Sequence, residues 1–175
     1  YGPAQIRKNV DDVRHAFSGL PVTLLYALEA NSNRAIIQVM AEMGLGAEAV
    51  SGGEVFRARE AGIEPQKIAF SGVGKTDAEI EQALEAGIGT IIVESLEELK
   101  VVEMAAARRG VRAPVALRYQ PCIALGTHPY LATGAKATKF GLEKDAVVAA
   151  LDAVRRSASL ELVGLHAHIG SQIRT

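Results

Sequence analysis

Apolar runs of strand length alternate with helix-length stretches along the whole sequence. The runs are VTLLYAL (22–28), AEAV (47–50), KIAF (67–70), TIIV (90–93), PVALRY (114–119) and LELVGLHAH (160–168). The first five recur roughly every 20 to 25 residues, the length of one strand–helix unit. Between them lie helix starts and stops. Ser51-Gly-Gly-Glu54, Thr76-Asp-Ala-Glu79 and Ser95-Leu-Glu-Glu98 each place a hydroxyl at an N-cap with a Glu three residues on, the pattern of a capping box. Gly44, Gly62, Gly87 and Gly110 close helices, where a left-handed residue is cheapest for glycine. Ile36, Ile37, Met40 and Met43, and then Ile80, Ala83 and Leu84, follow the helical period. Repeated strand–helix units imply an α/β fold around a parallel sheet, either a barrel or a doubly wound sheet. Apolar strands of this kind suit a sheet covered on both faces. Six strands fall short of the eight in a closed (β/α)8 barrel, so a barrel reading is a partial one.

Composition narrows the function. In 175 residues, 19 Lys and Arg balance 20 Asp and Glu, so no basic stripe points to nucleic acid. No apolar run approaches membrane-spanning length, and none resembles a secretory leader. One cysteine, Cys122, excludes an internal disulfide framework and fits a reducing, cytoplasmic setting. One Cys and four scattered His make no structural zinc site. The chain opens without Met and stops soon after a strand, so we expect a single domain, 1–175, cut from something longer. The segment 120–139 reads as a long loop at the strands' C-terminal ends, where barrel enzymes carry their sites.

Residues 69–76, AFSGVGKT, imitate a phosphate loop except that Ala69 stands at the first glycine. A nucleotide binder is therefore one reading. The plainer one is a strand–helix turn in which Gly72 and Gly74 take positive φ, and Glu94, which ends the next strand, completes no metal site.

YALEANSN, GAEAVSGGE, FSGVGKTDAEI, VESLEEL, LRYQP, THPYLATG, KFG and HAHIGSQ occur in this order. Together they closely resemble the diaminopimelate decarboxylases, in the alanine-racemase-like class of pyridoxal phosphate (PLP) enzymes. The resemblance covers essentially the whole chain. It implies a PLP-binding (β/α)8 barrel followed by a β domain, of which these residues form about the first six units. The implied reaction removes a carboxylate from meso-diaminopimelate and gives L-lysine. It also implies a small amino-acid substrate, no nucleic acid or membrane partner, and a homo-oligomer.

The same resemblance makes Glu29 the anomaly. In the family, the strand-one motif carries the lysine that forms a Schiff base with PLP, and that position is Glu29 here. A carboxylate cannot condense with an aldehyde or return a proton as an amine does. Other departures also fall at strand ends. Glu48 stands where the family has Asp, Tyr119-Gln120-Pro121-Cys122 replaces a Val-Asn-Pro-Asp-like run, and Ala167 replaces a larger residue. An inactive or engineered barrel scaffold that self-associates is accordingly the alternative to an active enzyme.

The remaining candidates each have a plain reading. On spacing alone, His168 is a core histidine; the motif makes it the histidine packed on the PLP ring. His166 shares its strand face. Ser171 matches a phosphate-contacting serine and could equally cap a helix. Arg118 matches an arginine near the cofactor and needs a carboxylate partner, with Glu48 or Glu54 the candidates. Glu29 itself could pair with Arg118 or Lys139, or stand exposed. Lys139 and His128, from the long loop, would face the substrate. The family's glycine-rich phosphate loop and the carboxylate on the pyridine nitrogen map to nothing in this chain.

Overall fold

The computed structural model describes residues 2–121 and 140–168. Six strands form one parallel sheet: β1 (Leu25–Ala27), β2 (Gly46–Ala49), β3 (Ile68–Phe70), β4 (Thr90–Val93), β5 (Ala113–Arg118) and β6 (Leu160–His166). Spatial order equals chain order, β1 to β6, with every neighbour parallel. A doubly wound sheet reverses its order at a switch point. This sheet has none, so it is a run of barrel units. All six strand positions read from the sequence are occupied. β1 is shorter than its apolar run because Leu28–Ala30 turns into a 3-10 turn.

Helices α2 (Arg34–Glu42), α3 (Gly52–Glu60), α4 (Asp77–Ala86), α5 (Leu96–Arg109) and α6 (Lys144–Arg156) connect successive strands. Alternate strand residues face them. Ala47, Ala49, Ile68, Phe70, Ile91, Val93, Val115 and Leu117 join Ile37, Val55, Ile80 and Val102 in one buried cluster. On the other sheet face, Ala69, Ile92 and Ala116 form a separate cluster. Gly46 in β2 allows close strand approach. A Cβ there would lie 2.2 Å from the Lys67 carbonyl oxygen.

A helix that the sequence reading missed, α1 (Pro3–Ala16), precedes β1. Of its residues only Val10 is buried, beside Met40 and Leu45, so its apolar stripe is too thin for periodicity to reveal. Pro3 in its first turn was the available signal.

The helix ends follow the sequence with one refinement. All four closing glycines have positive φ. Ser51, Thr76 and Ser95 each accept from the backbone N–H three residues on. Only the Thr76 box is reciprocal. Glu54 and Glu98 instead accept from the N–H of Val50 and Glu94, one residue before the cap. Glu79 accepts from Thr76 N and, through its other oxygen, from Gly52 N, so it joins two helix starts. The Thr76 N–H first, and the Gly52 N–H after it, hold its pKa below 4.5. Its contribution is therefore full above that value and fades as pH falls through the lowered one. Thr76→Ala is expected to cost about 1 kcal/mol, read as a lower urea midpoint.

Candidate ligand site at the C-terminal end of the sheet

The face opposite the helices changes character at the strands' C-terminal ends. Glu48, between the helix-facing Ala47 and Ala49, must project from this face. Two-residue alternation carries the same face from Ala69 to Ser71, from Ile92 to Glu94 and from Ala116 to Arg118. Register places His166 beside Arg118. A small, apolar inner surface thus ends in a polar ring of Glu48, Ser71, Glu94, Arg118 and His166. Glu29 lies two residues beyond β1, in the 3-10 turn, and is exposed.

Glu94 organises the ring. Its Oε2 accepts from Arg118 Nη1 at 2.8 Å, and its Oε1 accepts from the Gly72 N–H at 2.9 Å. Gly72 has φ +102°, which turns its N–H toward that carboxylate at little steric cost. This corrects two sequence expectations. Arg118 pairs with Glu94 rather than Glu48 or Glu54, because Glu94 ends the adjacent strand. Gly72 takes positive φ and Gly74 does not. Glu48 instead accepts the Ser71 hydroxyl at 2.8 Å. The Arg118 guanidinium also lies 4.9 Å from the centre of the Phe140 ring, within cation–π range.

Two polar atoms in the ring are buried without a hydrogen-bond partner, Arg118 Nε and His166 Nδ1. Burial first, and then the nearby positive charge of Arg118, push His166 below its ordinary 6.5. Glu48 and Glu94 pull the other way, and His168 adds to the lowering. His166 is therefore neutral at pH 7. The unfolded chain binds a proton that the folded one resists, so stability should fall as pH drops below 6.5. His166→Gln is expected to flatten the slope of urea midpoint against pH between about 7.5 and 5.5; an unchanged slope would remove His166 as its source.

The phosphate-loop lookalike has spent its lysine. Lys75 Nζ donates to the carbonyls of Gly72 at 2.6 Å and Ile92 at 2.8 Å, and to Glu98 Oε1 at 2.7 Å. Thr76 caps α4. Glu54 serves its own helix end. His168 lies just beyond β6, half-buried. His128, Lys139, Ser171 and Cys122 lie outside the described residues. Sequence reasoning missed the parts played by Glu94 and Ser71. Their signal was position alone: each directly follows a short buried strand.

Fold and strand-end ring together define a ligand-binding barrel segment, and comparison identifies the class. Residues 3–175 match the family of pyridoxal-dependent decarboxylases over its pyridoxal-binding domain, and the chain belongs to that family. Among individual relatives, the diaminopimelate decarboxylase of Helicobacter pylori strain J99 is 45% identical over 169 residues, covering 97% of this chain and 42% of the relative. That of Pseudomonas aeruginosa is 41% identical over 173 residues, covering 99% and 42%. The crystal structure of the Helicobacter pylori enzyme complexed with L-lysine superposes with a TM-score of 0.97 at 42% identity, covering 100% of this chain and 44% of that one. The chain therefore spans less than half the length of these relatives.

Pyridoxal phosphate is the family's cofactor. The described ring offers it a paired arginine, two unsatisfied polar atoms and a neutral histidine. Neither the ring (Glu48, Ser71, Glu94, Arg118 and His166) nor Glu29 in the turn after β1 supplies a lysine amine. The described residues therefore do not fit covalent attachment of the aldehyde.

Proposed function

We propose that this chain is the first six units of a diaminopimelate-decarboxylase barrel, and that Glu29 occupies its Schiff-base position and leaves it without decarboxylase activity. In the relatives' activity, meso-diaminopimelate loses a carboxylate to give L-lysine. The observation that carries the reading is the placement of Glu29, an exposed carboxylate in the 3-10 turn that follows β1, at the position where the resemblance puts the Schiff-base lysine. The other assignments follow the resemblance. Arg118, Glu48 and His168 border the cofactor, Ser171 its phosphate, and His128 and Lys139 the substrate. The remaining barrel units, a β domain and a cytoplasmic location belong to the same proposal. Among the described residues, no helix is long and apolar enough to cross a membrane.

Titration with pyridoxal phosphate, followed by borohydride reduction and peptide mapping, tests the reading. We expect no adduct confined to one lysine. A single trapped lysine would mean that another residue supplies the amine and would overturn the inactivity. Glu29→Lys should create one mapped adduct at position 29.

A second reading, a self-associating scaffold, rests on the sheet's two edges. Leu25 on β1 is 44% exposed and Leu165 on β6 is 64% exposed, and an open apolar edge invites strand pairing. Light scattering should then report a homo-oligomer; a monomer at high concentration sinks this reading.

A further inference from the structure

We propose that a crevice between the first turns of α4 and α5 binds a short alkylammonium ion. This site is separate from the strand-end ring and independent of the cofactor reading. The crevice holds about 200 Å³. Ordinary small-molecule sites hold about 300–1,000 Å³, so its occupant is short. Val73, Ile80 and Val101 supply an apolar wall. Val73, at the tip of the β3–α4 turn, is 45% exposed, so a hydrocarbon chain laid against it removes apolar surface from water. Glu94 closes the side toward the ring, its carboxylate turned to Arg118 and the Gly72 N–H.

Charge decides the ligand class. Lys75 is paired with Glu98 at 2.7 Å, and Glu94 with Arg118 at 2.8 Å. Those four charges cancel in pairs. Asp77, which also lines the crevice, takes part in no ion pair among the described residues. An anion in the crevice would meet the carboxylates of Asp77, Glu94 and Glu98 together. A neutral molecule would leave the Asp77 charge to water. A cation answers it, with the ammonium at Asp77 and the chain against the apolar wall. Glu98 adds acceptor capacity. Its side chain is 14% exposed, and a carboxylate that accepts from Lys75 and the Glu94 N–H still has lone pairs free. An aspartate in the first turn of a helix also favours the helix dipole, but that duty needs no apolar wall beside it. The wall and the unpaired charge in one crevice make the site.

The test compares three probes of one length and different charge: butylammonium, butanol and butyrate. Each is titrated into the isotope-labelled chain while its amide NMR signals are followed. Butylammonium should shift Val73, Asp77, Ile80 and Val101 saturably. Butanol should do so about two- to fivefold more weakly, the range for a solvent-exposed ion pair, and butyrate should not. Asp77 is exposed, so Asp77→Asn should leave the fold intact, bring butylammonium down to the level of butanol and leave butanol unchanged. Added salt should narrow the difference between the two in the parent chain. Equal binding of butylammonium and butanol, a preference that survives Asp77→Asn, or saturable shifts confined to another surface would each overturn the inference, as would the absence of any saturable shift.

Discussion

Replacing Glu94 by alanine is expected to cost about 3–5 kcal/mol of stability, the range for stranding one member of a buried ion pair. The side chains of Glu94 and Arg118 are 2% and 10% exposed. Arginine cannot shed its proton to escape burial, so the guanidinium would remain charged without its paired anion. The Gly72 N–H would lose its acceptor in the same step. The Phe140 ring under the guanidinium is a poor substitute for an anion; cation–π contacts contribute about 0.5–2 kcal/mol. Glu94→Gln should cost less, because its one carbonyl oxygen can still serve either Gly72 or Arg118. The double replacement Glu94→Leu with Arg118→Met should cost well under the sum of the single changes, since it also removes the desolvation of both charges. Urea unfolding of all four proteins gives the cycle. A Glu94→Ala cost below about 1 kcal/mol would mean that the pair behaves as a solvated surface bridge. Against a typical total of 5–15 kcal/mol, the expected loss is large enough to leave part of the population unfolded.

The pair also shows where sequence reading stops. Strand positions, helix caps and closing glycines were readable because each depends on residues within a few positions of one another. Ser51, Thr76 and Ser95 cap as their spacing requires, and Gly87 and Gly110 sit in the left-handed region. Whether a repeating parallel sheet reverses its order is a tertiary matter; here the motif resemblance supplied the barrel and strand order agreed. The partner of Arg118 depended on which strand lies next to β5 and how its end is staggered. No local pattern encodes that, so Glu48 and Glu54 were plausible while Glu94, on the neighbouring strand, was passed over. Glu94 also looked like the start of the next helix's cap. It is in fact where two duties meet, its backbone N–H held by Glu98 and its side chain holding Arg118. Helix α1 escaped for the opposite reason. It buries so little that its sequence looks like a polar tail.

Lys75→Met should be as damaging as the loss of Glu94, again about 3–5 kcal/mol. The Lys75 side chain is 0% exposed and that of Glu98 is 14% exposed. Methionine fills similar space over the Phe70 ring, which lies 5.5 Å from Nζ, so packing alone does not explain a loss of that size. Three acceptors are stranded instead: the carbonyls of Gly72 and Ile92, and one oxygen of Glu98. The damage should spread toward the ring, because Glu98 also holds the Glu94 N–H. Adding Glu98→Gln to Lys75→Met should recover part of the loss by removing the unpaired charge. The same geometry bears on the phosphate-loop lookalike. For Lys75 to reach a nucleotide phosphate, it would have to give up an ion pair and two carbonyl contacts at once. Nucleotide with Mg²⁺ should therefore leave the melting temperature of the parent chain unchanged. A nucleotide-dependent rise, lost in Lys75→Met, would show that the lysine can leave its buried site and would revive the nucleotide-binding reading.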